Sequence, residues 1–332
     1  MRIILITVGI LFILAIIAAV ILLVVTKKPA AKPTNNQSYV TSENTALNAL
    51  KEKSTTLTSA SLAAINTTDL FYSVFRNAAE QSTVVTTKNF YETTSLNSAP
   101  LSSSESNVDG LTQAGYNYAN GQFSFQDYDN SIIDYCINGT DYDYSTDAPS
   151  VGWQQSPTGN GDCQVANTDT TINDGLNTGG LTTAQAQKYV DELRNMQNLI
   201  TVTDANLVSV QGKNYIRFDV TVNTNTSCSE TYSAMGCFNQ AYNTLGLPSS
   251  WPFDNASSIA SGASFAYYVD PTTQLPVYTQ IAYTPVSGSS NNWTNQQIEY
   301  SFGTLPTFSI ANSTNVIPIT ITWPITTLQS IQ

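Results

Sequence analysis

Ile3 to Val25 is a run of 23 residues without a single charge, varied only by Thr7 and Gly9. At about 1.5 Å of rise per residue a helix of that length spans about 34 Å, enough to cross a hydrocarbon core of roughly 30 Å. A cleaved signal peptide carries an apolar stretch of only about 7–15 residues before a small-residue cleavage site, so this run reads as an uncleaved anchor. No cysteine precedes Cys136, which leaves no lipoprotein processing site ahead of the domain. The remainder of the chain is therefore expected to fold at a membrane surface.

The side of the membrane is decided by two opposed signals. Arg2 and the amino terminus flank one end, against Lys27, Lys28 and Lys32 at the other, and a charge count alone would place the domain inside. Composition outweighs it, because long domains cross despite modest flanking charge. Of the 332 residues 35 are Ser, 44 Thr and 31 Asn, while only 11% are charged, against roughly 25% in an average soluble protein. The domain is expected outside the cytoplasm.

A net charge of −12 with 12 Lys+Arg excludes a nucleic-acid partner, which needs a basic face to displace counterions from phosphates. The absence of His removes His-based triads, metal sites and proton shuttles. With 18 Tyr and 12 Phe the chain has ample apolar bulk to bury a core, which argues against global disorder.

Residues 1–26 form the expected anchor, 27–42 a polar, proline-containing tether, and 43–332 one extracytoplasmic domain. Leu47, Leu50, Leu57, Leu62 and Ile65 give a helical pattern, and Leu70, Phe71, Val74, Phe75 and Ala78 a stronger one that Thr68 or Asp69 would cap. After Gln81 the period falls to two. Asn120-Gly121 and Asn138-Gly139 are both type I′ turn signals. Pairing outward from them sets Tyr118 opposite Phe123, Tyr116 opposite Phe125, Tyr135 opposite Tyr142 and Ile133 opposite Tyr144. A helix is expected at about 183–199 on the stripe Tyr189, Val190, Leu193 and Met196. Strands then flank a Gln211-Gly212-Lys213-Asn214 turn, where Ile216, Phe218, Val220 and Val222 alternate with Arg217, Asp219 and Thr221. Further strands fall at 264–269, 276–283 and 297–302, and an edge strand at Val316–Trp323, confined there by Pro318 and Pro324.

This order of elements, ending in Tyr267-Tyr268-Val269-Asp270-Pro271-Thr272-Thr273-Gln274-Leu275-Pro276-Val277-Tyr278, resembles the bacterial lipoprotein-carrier group, the LolA-like and LppX-like proteins. In that group a strand ending Asp-Pro-x-Thr turns into one beginning Leu-Pro. The resemblance covers roughly residues 44–308 and implies an α+β fold: a large curved antiparallel sheet, a half-barrel, with a few helices on its concave face over a hydrophobic cavity. Phe71, Phe75, Tyr116, Tyr118, Phe123, Phe125, Phe265, Tyr267 and Val269 are the residues expected to line it. The chain departs from the group in its membrane anchor and its extra cysteine loops.

Cys136, Cys163, Cys228 and Cys237 allow three pairings. Local pairing, Cys136 with Cys163 and Cys228 with Cys237, is the expectation, as structural disulfides of an oxidising compartment. Nine Asp and no basic residue lie between Asp127 and Asp174. The run Asp141–Asp147 alternates oxygen donors, but it lacks the Gly and terminal Glu of a calcium loop and reads as a solvated face. Seven Asn-x-Ser/Thr sites are about the number that chance gives. Neither Gly-x-Ser-x-Gly, Ser-x-x-Lys nor a phosphate loop is present. No enzyme, cofactor or metal is expected. The expected partner is a hydrophobic small molecule or lipid, and the alternative is a surface structural or adhesion protein with a filled core.

Overall fold

The computed structural model describes residues 38–93, 107–119, 122–127, 132–137, 140–145, 147–148, 150–155, 179–196, 198–223, 236–247, 260–285, 293–303 and 305. The apolar run 3–25, the expected strand 316–323, Cys163 and Cys228 lie outside them. Among the described residues no helix is long and apolar enough to cross a membrane.

Three helices open the domain. Helix α1 (Val40–Lys53) buries Ala46, Leu47 and Leu50 and takes in the last residues expected of the tether. The short α2 (Ser59–Ala63) starts from a capping box between Thr58 and Ser61. Helix α3 (Thr67–Ala79) carries the strong apolar stripe. Its cap is Asn66, not Thr68 or Asp69: the Asn66 side chain accepts from Asp69 N at 2.9 Å, ahead of where the periodicity suggested. Later, α4 (Thr183–Asn195) begins with a Thr182–Gln185 capping box and stops four residues short of the expected end, before Asn198 at φ 60°. Helix α5 (Gly236–Asn243) has no counterpart among the elements expected from the sequence.

The strands are β1 (Thr83–Thr93), β2 (Asn107–Asn117), β3 (Gln122–Asp127), β4 (Ile132–Ile137), β5 (Thr140–Ser145), β6 (Gln154–Gln155), β7 (Ile200–Val210), β8 (Lys213–Val222), β9 (Ala260–Asp270), β10 (Leu275–Pro285) and β11 (Trp293–Phe302). They form one sheet of 11 strands in the order β6-β5-β4-β3-β2-β1-β11-β10-β9-β8-β7. Every neighbouring pair is antiparallel, and the β1–β11 pair joins two meanders into one surface. The α+β class and antiparallel sheet expected from the sequence are present.

The second Asn-Gly hairpin pairs as expected, Tyr135 with Tyr142 and Ile133 with Tyr144. The first does not. Tyr116 faces Phe123 and Ala114 faces Phe125, so the ladder ends at Asn117–Gln122 and four residues make the connection. Tyr118 stands beyond that ladder; its N–H donates to Ser82 O at 2.8 Å, continuing the β1–β2 pairing, and the Gly179-Gly180 pair lies against its side chain. A Cβ at Gly180 would lie 2.3 Å from that of Tyr118, and Gly180 sits at φ +72°, so both space and backbone require glycine.

Helices α2 and α3 pack on β7, α3 also on β10, and α4 joins α3 to α5. The core lies between this helical layer and one face of the sheet. Ile216, Phe218, Val220 and Val222 are buried in it, as their alternation predicted. The opposite face is less wet than that alternation implies. Tyr215, Tyr268 and Tyr278 cluster there with Val210 and Ala266, and Arg217 is covered, its guanidinium 5.9 Å from the Tyr268 ring and ion-paired with Asp219 at 2.7 Å.

Candidate functional site

Two arrangements of side chains stand out in the helical layer. One is apolar and faces the sheet. The other is ionic and sits where the chain enters the domain.

The apolar arrangement is a chain of rings. Phe71 of α3 stacks with Phe75 at 5.9 Å and meets Phe218 and Tyr267 edge-on at 5.7 Å each. Phe75 continues to Tyr189 of α4 at 6.1 Å, and Tyr189 to Tyr242 of α5 at 6.1 Å. Such pairs favour offset or edge-to-face contact and add about 0.5–1.5 kcal/mol each beyond area burial. Of the nine residues expected to line a cavity, Phe71, Phe75, Phe125, Phe265, Tyr267 and Val269 are buried within this one cluster. Tyr116 and Tyr118 pack on it half-buried, their rings 4.6 Å apart. Phe123 is buried on β3 outside the cluster.

Residues outside the nine expected to line a cavity complete the interior. Tyr189 and Thr279 are fully buried, yet Tyr189 Oη and Thr279 Oγ1 have no hydrogen-bond partner. An unmatched buried hydroxyl costs about 1–3 kcal/mol. Burial pushes the phenols of Tyr189 and Tyr267 well above their ordinary range, helped by Tyr242 and Tyr300 respectively. Both are neutral donors at physiological pH. Tyr189 was visible as a member of a helical stripe, and Thr279 only as part of the expected strand 276–283. Nothing in either pattern told that their oxygens lack partners.

The ionic arrangement centres on Glu43 of α1, which is fully buried. Its carboxylate accepts from Arg76 at 3.3 Å, Arg194 at 2.9 Å and Gln187 at 3.0 Å. Arg194 also donates to Asp69 at 2.8 Å, and Arg76 to Asn44 at 2.7 Å and to Gln187. Arg194 lies between the rings of Tyr39 and Tyr72, 3.8 and 4.9 Å from their centroids. Although burial alone would lower it, hydrogen bonds and charge from Glu43 and Asp69 hold the Arg194 guanidinium above its ordinary range. Burial drives the Tyr72 phenol up as well, out of the titrating range. No sequence rule connects positions 43, 76 and 194.

The turn that carries the family resemblance is tied in the same way. Asp270 Oδ1 accepts from Thr272 N at 2.8 Å, Gln274 N donates to Asp270 O at 2.8 Å, and Lys213 pairs with Asp270 Oδ2 at 2.7 Å. Of the cysteines, Cys136 and Cys237 are both buried and neither is a free thiol.

No family model matches the chain, and no curated protein matches it. Among solved structures it matches the crystal structure of LprF from Mycobacterium bovis, over 80% of this chain and 95% of that one. The identity is 11% and the TM-score 0.33.

Proposed function

We propose that this protein binds a hydrophobic ligand, a lipid, between the sheet and its helices, and does so without catalysis. In this reading residues 3–25 hold it in the membrane with the large domain outside the cytoplasm, the sheet curves around the helices as a half-barrel, and Cys136–Cys163 and Cys228–Cys237 are its disulfides. The observation that carries it is the pair of buried hydroxyls, Tyr189 Oη and Thr279 Oγ1, left without partners in an interior of aromatic rings. Ligand sites are mainly apolar with a few polar groups that fix orientation, and a lipid ester or carboxyl oxygen supplies the missing acceptor. Affinity would come from methylenes leaving water, about 0.8 kcal/mol each. Entry requires α3, which carries α4 on it, to part from the sheet.

A second reading has an observation of its own. Phe71 touches four other rings at 5.4–5.9 Å, which is how a filled core packs, and a filled core suits a surface structural or adhesion protein. Native mass spectrometry of the full chain, followed by solvent extraction, separates the two. Acyl lipid that co-purifies, and is reduced in the isosteric Tyr189→Phe and Thr279→Val variants, is the expected result. A clean protein that takes up no fluorescent fatty acyl probe would sink the lipid reading in favour of the filled core.

A further inference from the structure

We propose that the β7 edge of the sheet is where a second copy of this chain adds, the two β7 strands pairing antiparallel about Leu207 to continue one sheet through both molecules. The two ends of the sheet are finished differently. At one end β6 has only two residues, too few to template a neighbour. At the other, β7 has 11 and bonds only to β8 among the described residues. Bare strand edges are commonly blunted by Lys, Pro or a bulge. Strand β7 contains neither Lys nor Pro, and Asp204 is its single charge.

Local geometry leaves half of that edge open. Gln211 and Gly212, at φ 51° and 79°, close the β7–β8 hairpin with a two-residue turn, which makes Val210 and Lys213 a hydrogen-bonded pair. Alternation along the ladder then turns the backbone groups of Ser209, Leu207 and Ala205 away from β8. A register shift between Val202 and Asp204 ends that regular stretch. There Asp204 Oδ1 accepts from Ala205 N at 2.8 Å, so the edge is closed at its start and open from Ala205 O to Ser209 O. Asn206 and Ser209 are exposed, and no hydrogen bond crosses that edge from the described residues of β7.

What fits is the same strand inverted. With a two-fold axis at Leu207, that residue faces the partner's Leu207, Ala205 the partner's Ser209, Asn206 the partner's Val208 and Asp204 the partner's Val210. Leu207 N then donates to the partner's Leu207 O, and Ser209 N to the partner's Ala205 O, about four backbone bonds counted over both copies. Each pair keeps its face. Leu207 and Ala205 pack on the main core, Val208 and Val210 with the tyrosine cluster of the opposite face, so both apolar layers continue across the axis. Charge agrees as well. Asp219 and Asp204 are cross-strand neighbours, and their row runs on to the partner's Val210 and the partner's Lys213, a side chain 59% exposed. The two Asp204 residues stand about 20 Å apart along the pair, well beyond the screening length of about 8 Å. Helix α2, which packs on β7, exposes only Ser59, Ala60 and Ala63, so it sets no bulky side chain in the way. An unrelated strand could make the same backbone bonds, but the inverted copy brings this match of side chains and charge with it.

The test is sedimentation equilibrium of the full chain in density-matched detergent, with the register read by cross-linking. A concentration-dependent dimer is expected. Ser209→Pro removes one donor per copy from the new ladder and none from the bonds to β8, and should raise the dimer Kd at least about tenfold. Asn206→Lys, at an exposed position, sets two ammonium groups diagonally across the axis and should raise it about fivefold. Melting followed by circular dichroism shows that each variant is folded. For the register, chains carrying Asn206→Cys are mixed with chains carrying Val208→Cys. The mixture places the two thiols on Cα atoms about 4.5 Å apart, within disulfide reach, whereas either variant alone sets them about 7–8 Å apart. The mixture should therefore form the interchain disulfide at least about fivefold faster than either variant alone. A chain that stays monomeric at its highest soluble concentration, a dimer that both variants leave intact, or equal cross-linking in all three samples would each overturn the proposal. So would a monomer whose β7 amides respond to an added extended peptide, which would give the edge to a different partner.

Discussion

The guanidinium of Arg194 lies 3.8 Å from the centre of the Tyr39 ring, so a side chain of α4 grips the residue just ahead of α1. Tyr39 returns the contact through its backbone, its N–H donating to Asp191 Oδ1 at 3.0 Å. With Glu43 on α1 and Asp69 on α3 both bound to Arg194, one cation joins the entry of the chain to three helices. The helical layer is thereby one unit, which constrains how any interior ligand would enter.

Breaking that cluster should be costly. Glu43 is fully buried between two guanidinium groups, and removing one partner of a buried ionic pair leaves an uncompensated charge, worth about 3–5 kcal/mol. Glu43→Ala should lower the unfolding free energy by about that amount. Arg194→Lys keeps the charge but loses the fork and the ring stack, and should cost less, about 1–2 kcal/mol. Urea unfolding of both variants checks the order. Equal stability of Glu43→Ala and wild type would mean that the cluster is not formed in solution.

The Lys213–Asp270 pair predicts a pH dependence. Burial pushes the Asp270 carboxyl up, but the Lys213 ammonium and the N–H groups of Thr272 and Thr273 outweigh it and hold the group below its ordinary range. A lowered carboxylate stabilises the fold above its unfolded value of about 3.9 and loses that contribution as pH falls through the lower folded value. Lys213→Met should therefore raise the Asp270 midpoint seen by carbon NMR and shift acid unfolding to higher pH. The Lys213 ammonium is itself raised by Asp270, so in the wild type the pair weakens on the alkaline side only above the usual lysine range.

Gly180 tests the contact against Tyr118 at the end of β2. Gly180→Ala places a methyl group against Tyr118 on a backbone at φ +72°, where overpacking and αL strain act together. A loss of about 2–4 kcal/mol is expected. Gly152→Ala shares the φ of +72° but has nothing within 4 Å, so it should cost only about 1 kcal/mol. Thermal unfolding of the two variants separates strain from crowding.

That same contact explains how much of the fold could be read in advance. The second hairpin pairs in the register its turn signal predicts, with Ile137 and Thr140 as the last pair of the ladder. The first hairpin carries the same signal but pairs two residues away from it, Tyr116 with Phe123, while Tyr118 packs against the distant Gly179-Gly180 pair, a contact that no local turn rule contains. The stripes of α3 and α4 and the alternation of β8 were legible because burial on one face imposes a period. Helix α5 was not, its apolar residues Cys237, Phe238, Ala241 and Tyr242 standing in a Ser/Thr/Asn-rich stretch. The aromatic half of the candidate site was visible in sequence for the same periodic reason. The ionic half was not, because Glu43, Arg76 and Arg194 meet only through tertiary packing.

Tyr189 decides between a ligand-binding interior and a filled one. Its ring is held by Phe75 and Tyr242, so Tyr189→Phe keeps the packing and removes only the hydroxyl. In the free protein that hydroxyl is buried without a partner, and its loss should relieve about 1 kcal/mol of desolvation. For a domain of this size that raises Tm by about 2–4 °C. If a lipid oxygen pairs with Tyr189, lipid should raise the wild-type Tm more than that of the variant, because the variant cannot form the bond. Differential scanning calorimetry with and without a fatty acyl ligand measures both quantities. A more stable variant with a smaller lipid increment supports the ligand site. A less stable variant, with lipid raising neither Tm, would show the hydroxyl to be part of a closed core.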